Sequence, residues 1–278
     1  MSETTAPPLL SQIAGLARAN RLDEAAALAA DAWKAGADPV LAALAGAVEF
    51  HRGRFEPAAS YLRVAHGAEP GDIVVRANLA DALYRSGQAD AVLALCDDAS
   101  MRADGSLRLA RLAGHLRQEA GDFDGAVASY RLIVDREPGD WGAWNNLGNA
   151  LNATGQRDEA LEALRKARDL APDSAPILLN LGNTLIEARL GDEAEAVFVS
   201  AAHHHPGDVK PVLALYNLYR EAGLEDQAFV RITEAAALAP DDPRILTDHG
   251  QEAARRNHYD VAETAYEKAL AVQSAFGP

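Results

Sequence analysis

The stretch WNNLGNALNATGQRDEALEALRKARDLAP, residues 144–172, decides the fold. Trp144, Leu147, Gly148 and Leu151 recur at three- and four-residue steps, followed by Ala160 and Leu164 at a four-residue step and by Pro172. That is the apolar rhythm of one-sided helices with a helix-terminating proline behind them. The same stretch sets Asn145, Asn146, Asn149 and Asn152 on one short helix. Each asparagine costs about half a kcal/mol against alanine in a helix interior. Four together imply either an architectural habit or a use for amide groups on that face.

The stretch repeats. EPGD stands at 69–72 and again at 137–140, and HPGD at 205–208, so the separation is 68 residues, twice 34. Pro172 and Pro240 fill the half-steps, 34 residues beyond Pro138 and Pro206. A period of this length is the signature of stacked helix-turn-helix units, each of which buries its apolar face only against its neighbours.

The set Trp144, Leu147, Gly148, Leu151, Ala160, Leu164 and Pro172 follows the spacing W-x2-L-G-x2-Y…A-x3-F…P, with leucine in both aromatic slots, and the chain resembles the tetratricopeptide-repeat family. The resemblance implies an all-α fold, a right-handed α-solenoid of about eight tetratricopeptide helix-turn-helix repeats. The units run 6–38, 39–72, 73–106, 107–140, 141–174, 175–208, 209–242 and 243–276, after a disordered tail at 1–5. Ala25, Ala58, Val92, Ala126, Ala160, Ala194, Ala228 and Ala262 hold the small slot of the second helices. Gly46, Ala80, Gly114, Gly148, Gly182 and Gly250 hold that of the first helices. Tyr216 breaks the first-helix slot in the seventh unit, where local splaying or a shifted helix is expected. Asp38, Asp72, Ser106, Asp140, Ser174, Asp208 and Asp242 close successive units, each a good N-cap for the helix that follows. Pro39 and Pro243 stand at a first helical position, where a missing N–H is harmless. The first and third units are the least regular. Gln12 and Ile13 stand where leucine and glycine are expected, Asp104 replaces the closing proline, and Cys96 sits in a large core slot. A shorter helix and a longer turn are expected over 97–106.

Composition agrees. The 278 residues are 49% hydrophobic but only 6% aromatic, which favours close-packed small helices over sheets. A net charge of −15 repels a phosphate backbone and an anionic membrane surface alike, so neither nucleic acid nor membrane is an expected partner. One cysteine excludes an internal disulfide framework and fits a reducing compartment; without a basic n-region or a long apolar run, the expectation is a cytoplasmic protein.

In the family, groove-facing side chains come mainly from the second, fifth, sixth, ninth, twelfth and thirteenth positions of each unit. Carried over, these give Asn78, Asp81, Tyr84 and Arg85; Arg108, Arg111, His115 and Gln118; and Asn145, Asn146, Asn149 and Asn152. Further along stand Asn180, Asn183, Lys210, Asn217, Arg220, Arg244, Asp248, Gln251 and Arg255. A side-chain amide both donates and accepts, so a row of them can pair with the backbone of an extended peptide whatever its sequence. The row is similar to the asparagine ladder of the repeat region of O-linked N-acetylglucosamine transferases. The plain alternative is that NNLGN follows the family pattern with no ligand. The arginines of this face suggest a basic channel suited to acidic or polar segments. The two-carboxylate clamp of chaperone-tail-binding relatives is rejected: Asn149, Asn180 and Lys210 match it, but Asn145 and Ala214 replace two of its cations.

The run His203–His205 invites a metal reading, yet successive helix positions point about 100° apart and cannot share one ion. No phosphate-loop, nucleophile-elbow or paired-cysteine motif appears, so no cofactor, no metal and no catalysis are expected of this chain. The expectation is a protein–protein interaction module holding an extended protein or peptide segment. The alternative is the substrate-recruiting N-terminal region of a larger bacterial glycosyltransferase or sulfotransferase, and a scaffold for bacterial surface or secretion machinery is a third. The last helix carries Val261, Ala265, Tyr266, Ala269 and Val272 with no polar cap after it. A continuation beyond 278, or self-association through this end, is expected on that ground.

Overall fold

The computed structural model describes residues 8–36, 38–97, 101 and 106–275. Expectations for residues 1–5, for 276–278 and for most of 97–106 lie outside the described residues. Every regular element among those described is an α-helix, sixteen in all. They fall into two compact units that divide at Pro138–Gly139.

The first unit holds α1 (Leu9–Arg18), α2 (Leu22–Ala35), α3 (Pro39–His51), α4 (Phe55–Ala68), α5 (Ile73–Arg85), α6 (Ala89–Leu95), α7 (Leu107–Glu119) and α8 (Phe123–Arg136). The second holds α9 (Trp141–Ala153), α10 (Arg157–Leu170), α11 (Ala175–Glu187), α12 (Gly191–His204), α13 (Val209–Glu221), α14 (Glu225–Leu238), α15 (Pro243–Arg255) and α16 (Tyr259–Ala275). From α3 to α15 every odd-numbered helix has 13 residues, and each even-numbered one from α2 to α14 has 14, except α6, which ends after 7. α6 is thus half the length of its counterparts.

Local chemistry fixes these starts. Asp38, Asp72, Ser106, Asp140, Asp208 and Asp242 each accept a backbone N–H from the first turn of the helix they precede. Ser174 is the correction: it occupies the N-cap of α11 but makes no capping bond. Pro176 is the second residue of that helix, so one of the two N–H groups a cap would engage does not exist. The turn inside each helix pair has its own rule. Gly53, Gly87, Gly121, Gly155 and Gly223 lie 34 residues apart or a multiple of it, all with φ between 72° and 81°. Asn20, Arg189 and Asn257 take the same place at φ 58–61°. A side chain in that left-handed region costs about 1–2 kcal/mol, least for asparagine.

Packing follows from the small slots. A Cβ on Gly148 would lie 2.5 Å from Leu164 Cγ, and one on Gly46 would lie 2.6 Å from Leu62 Cγ. Gly114, Gly182 and Gly250 are covered in the same way by the rings of Tyr130, Phe198 and Tyr266. The small residues of the second helices, Ala25 through Ala262, are all buried. Five helix pairs, those of Gly46, Gly114, Gly148, Gly182 and Gly250, therefore close on a glycine of one helix facing a large side chain of the other. Fully burying each such side chain stabilises the pair by about 1.5–3 kcal/mol. The core of the first unit includes Ile13, Leu41 and Val48; that of the second includes Leu164, Leu181, Phe198, Leu215 and Ile232. Tyr216 causes no shift in helix bounds: α13 has the same 13 residues as its counterparts. The ring is buried and its hydroxyl reaches Glu252 on α15.

Within each unit, first helices touch one another directly: α1 with α3, α3 with α5, α5 with α7, then α9 with α11 and α11 with α13. Second helices make no comparable contact among the described residues. Each unit thus curves with its first helices on the inner face.

Candidate functional site

On the second unit the inner face is built from α9, α11, α13 and α15. Asn180 on α11 donates through Nδ2 to Asn145 Oδ1 on α9 at 2.9 Å, and Asn145 donates through its own Nδ2 to Asn146 Oδ1 at 3.3 Å. These three amides form a strut between successive first helices, which is a structural use of asparagine. Asn149, Asn183 and Asn217 have no partner among the described residues; Asn183 and Asn217 are exposed and Asn149 is half-buried. Asn152 Oδ1 is buried without a partner. Lys210 is exposed at the start of α13. The predicted amides therefore divide into a set that ties helices together and a set whose donors and acceptors remain open.

Farther along this face Tyr216, Arg220, Asp248, Glu252 and Arg255 gather between α13 and α15. The Tyr216 hydroxyl donates to Glu252 Oε1 at 3.3 Å, Arg255 donates to the same oxygen at 2.8 Å, and Arg220 lies 5.4 Å over the Tyr216 ring. Burial pushes the Tyr216 hydroxyl up, helped by the charges of Glu252 and Asp248. Burial also raises the Asp248 carboxyl, against the pull of Arg220.

The inner face of the first unit is different in kind. Arg108 on α7 donates to Asn78 Oδ1 on α5 at 3.0 Å and forms an ion pair with Asp81. Arg111 pairs with Glu137 at 2.6 Å. His115 stacks edge-on against Tyr84 at 6.1 Å and lies 3.3 Å from Glu119. Phe50 and His51 at the end of α3 join them, Phe50 packing on Phe55 at 5.3 Å with Arg85 over the Phe55 ring at 5.3 Å. Of the cations expected on the groove face, Lys210 and Arg244 are exposed. Arg108, Arg111 and Arg255 are matched by carboxylates, and Arg85 and Arg220 lie over aromatic rings. Phe50 and His51 were not among the expected groove residues. They hold the twelfth and thirteenth positions of their unit, so the same positional rule reaches them.

The remaining signals have structural explanations. His204 Nδ1 bonds Ser200 O at 2.8 Å, and His205 Nε2 reaches Asp173 O at 2.5 Å, so the histidine run ties a helix end to the preceding turn. No cluster of metal-ligating side chains occurs among the described residues. Cys96 is fully buried, in the slot where other units carry Leu62, Tyr130 or Phe198. No described helix is long and apolar enough to cross a membrane.

Two sequence profiles, each described as tetratricopeptide repeat, match the chain: one over residues 111–175, the other over 49–116 and again over 153–218. No curated protein matches the sequence. Solved structures of MamA share the fold. One crystal structure of MamA is 22% identical with a TM-score of 0.52, covering 58% of this chain and 95% of that one. A second, 21% identical, has a TM-score of 0.53 over 60% and 92%. A MamA structure from Desulfovibrio magneticus RS-1, 17% identical, has a TM-score of 0.54 over 62% and 97%. The chain belongs to the tetratricopeptide-repeat family, whose arrays serve as protein–protein interaction modules.

Proposed function

We propose that this member of the tetratricopeptide-repeat family holds an extended protein segment along the inner face of its second unit, through side-chain amides directed at the segment's backbone. The observation that carries the reading is the open set Asn149, Asn183 and Asn217, one amide on each of the successive first helices α9, α11 and α13. Asn145, Asn146 and Asn180 support it from below by bracing α9 against α11, so the open amides project from a fixed base. Each open amide carries two N–H donors and a carbonyl acceptor, the complement of a backbone C=O and N–H. No carboxylate–His–nucleophile geometry stands on this face, which favours binding over catalysis. The arginines of this face are engaged, apart from Arg244, so affinity rests on amides and shape more than on charge.

The test uses an immobilised pool of randomised peptides as the probe. The full chain is compared with the combined Asn149→Ala, Asn183→Ala and Asn217→Ala variant. Retention of the pool should drop at least tenfold in the variant while its helical circular dichroism and melting temperature are kept or raised. Equal retention by both proteins would remove the amides from the binding face.

A further inference from the structure

We infer that the first unit carries a separate anchor pocket for one neutral aromatic or bulky apolar side chain, formed by Ala47, Phe50, His51, Asn78 and Arg108 where α3, α5 and α7 meet on the inner face. It rests on the proposed binding of extended segments for its biological use, but its chemistry is independent of the second unit. The cavity measures about 260 Å³. That is below the range of about 300–1,000 Å³ of sites for drug-sized ligands and suits a single side chain.

The lining selects against charge. Arg108 is the only permanent charge among the described residues of the wall, and its guanidinium is already shared between Asp81 and Asn78 Oδ1. An acidic side chain would have to displace Asp81, and a basic one would meet Arg108 itself. Because Asn78 Oδ1 accepts from Arg108, the orientation of the amide is set, and its Nδ2 donor is left without a partner among the described residues. Phe50 supplies an aromatic wall that is itself braced, edge-on against Phe55 at 5.3 Å and against His51 at 6.2 Å. Ala47 leaves the space that a larger residue on α3 would fill. A side chain ring or branched aliphatic group against Phe50, with the backbone carbonyl of the same residue taking the Asn78 Nδ2–H, satisfies each of these groups. Aromatic pairs of this kind prefer centroids 4.5–7 Å apart, which the braced Phe50 permits.

The experiment titrates isotope-labelled full chain by NMR with three small probes: the N-acetyl methylamides of phenylalanine, glycine and aspartate. The phenylalanine compound should shift the Asn78 side-chain amide and the Phe50 and His51 ring signals saturably. The glycine compound should bind at least tenfold more weakly, and the aspartate compound no better than glycine. Ala47→Leu should abolish the phenylalanine shifts by filling the cavity. Asn78→Ala, which leaves the aromatic wall intact and keeps the inference testable if the leucine variant unfolds, should weaken binding about five- to tenfold. Stronger binding of the aspartate compound, no saturable shift with any probe, or an undiminished response in a folded Ala47→Leu protein would overturn the pocket. The side-chain amides of Asn149 and Asn183 are followed in the same spectra. Loss of the phenylalanine response at Asn78 alone counts against this pocket, whereas the amide row stands or falls on the peptide-pool comparison.

Discussion

The inner faces of the two units are built on one 34-residue frame and differ in almost everything the frame leaves free. In the first unit the inner face carries rings and matched ions: Phe50, Tyr84, His115, Arg108 with Asp81, and Arg111 with Glu137 at the end of α8. In the second, α9, α11 and α13 carry seven asparagines, three braced, three open and Asn152 buried. Burial treats the two units alike. Gly46 faces Leu62 as Gly148 faces Leu164, and the capping aspartates of both bond the first turn of their helices. Packing is therefore shared by the two units, and the inner-face side chains are where they differ.

If packing is shared, core truncations should hurt both units, and these are the largest effects expected. Phe198→Ala should cost about 3–5 kcal/mol and Leu62→Ala about 2–5 kcal/mol in urea denaturation. A silent Leu62→Ala would break the equivalence of the two cores. Next come the turns inside the helix pairs. Arg189 holds in the second unit the left-handed position that glycine holds at 87 in the first. Arg189→Gly should raise stability by about 1 kcal/mol and Gly87→Ala lower it by about 1–2 kcal/mol, read from the same denaturation curves. The caps sharpen the comparison further. Asp72 accepts from both Val74 and Val75, whereas Ser174 accepts from neither candidate. Asp72→Ala should cost about 1 kcal/mol and Ser174→Ala no more than a few tenths.

The smallest effect is in pH. Each unit has one half-buried histidine held below the ordinary imidazole value of 6.5, His66 by burial and then the charge of Arg76, His249 by burial and then Lys268. Since the folded value is depressed, the neutral ring favours folding above pH 6.5, and that contribution is lost as pH falls through the folded value. His249→Leu should flatten the melting temperature between neutral pH and pH 5. Asp248, raised by burial, acts with the opposite sign.

The period, the small slots and the caps were legible in the sequence because each is a local requirement repeated at fixed spacing. Helices begin at Pro39, Ile73, Leu107, Trp141, Ala175, Val209 and Pro243, each one residue after a cap. The positive-φ turn at Gly53, Gly87, Gly121 and Gly155 keeps the same 34-residue spacing. Pairings between units of the repeat were not legible. That Asn180 braces Asn145, or that Asp81 neutralises Arg108, depends on which rotamers meet across neighbouring helices about 35 and 27 residues apart in sequence, a distance the period does not specify. The division of the asparagines into strut and open set belongs to this second class.

The most direct measurement takes the tightest peptide recovered from the randomised pool and compares it, by isothermal titration, with its backbone N-methylated analogue. Methylation leaves every side chain in place and removes N–H donors that the open carbonyls of Asn149, Asn183 and Asn217 would accept. Backbone-directed binding predicts a loss of at least tenfold for the methylated peptide, with little change when its side chains are scrambled. Equal affinity for the two backbones, or affinity that follows the side-chain order alone, would contradict it.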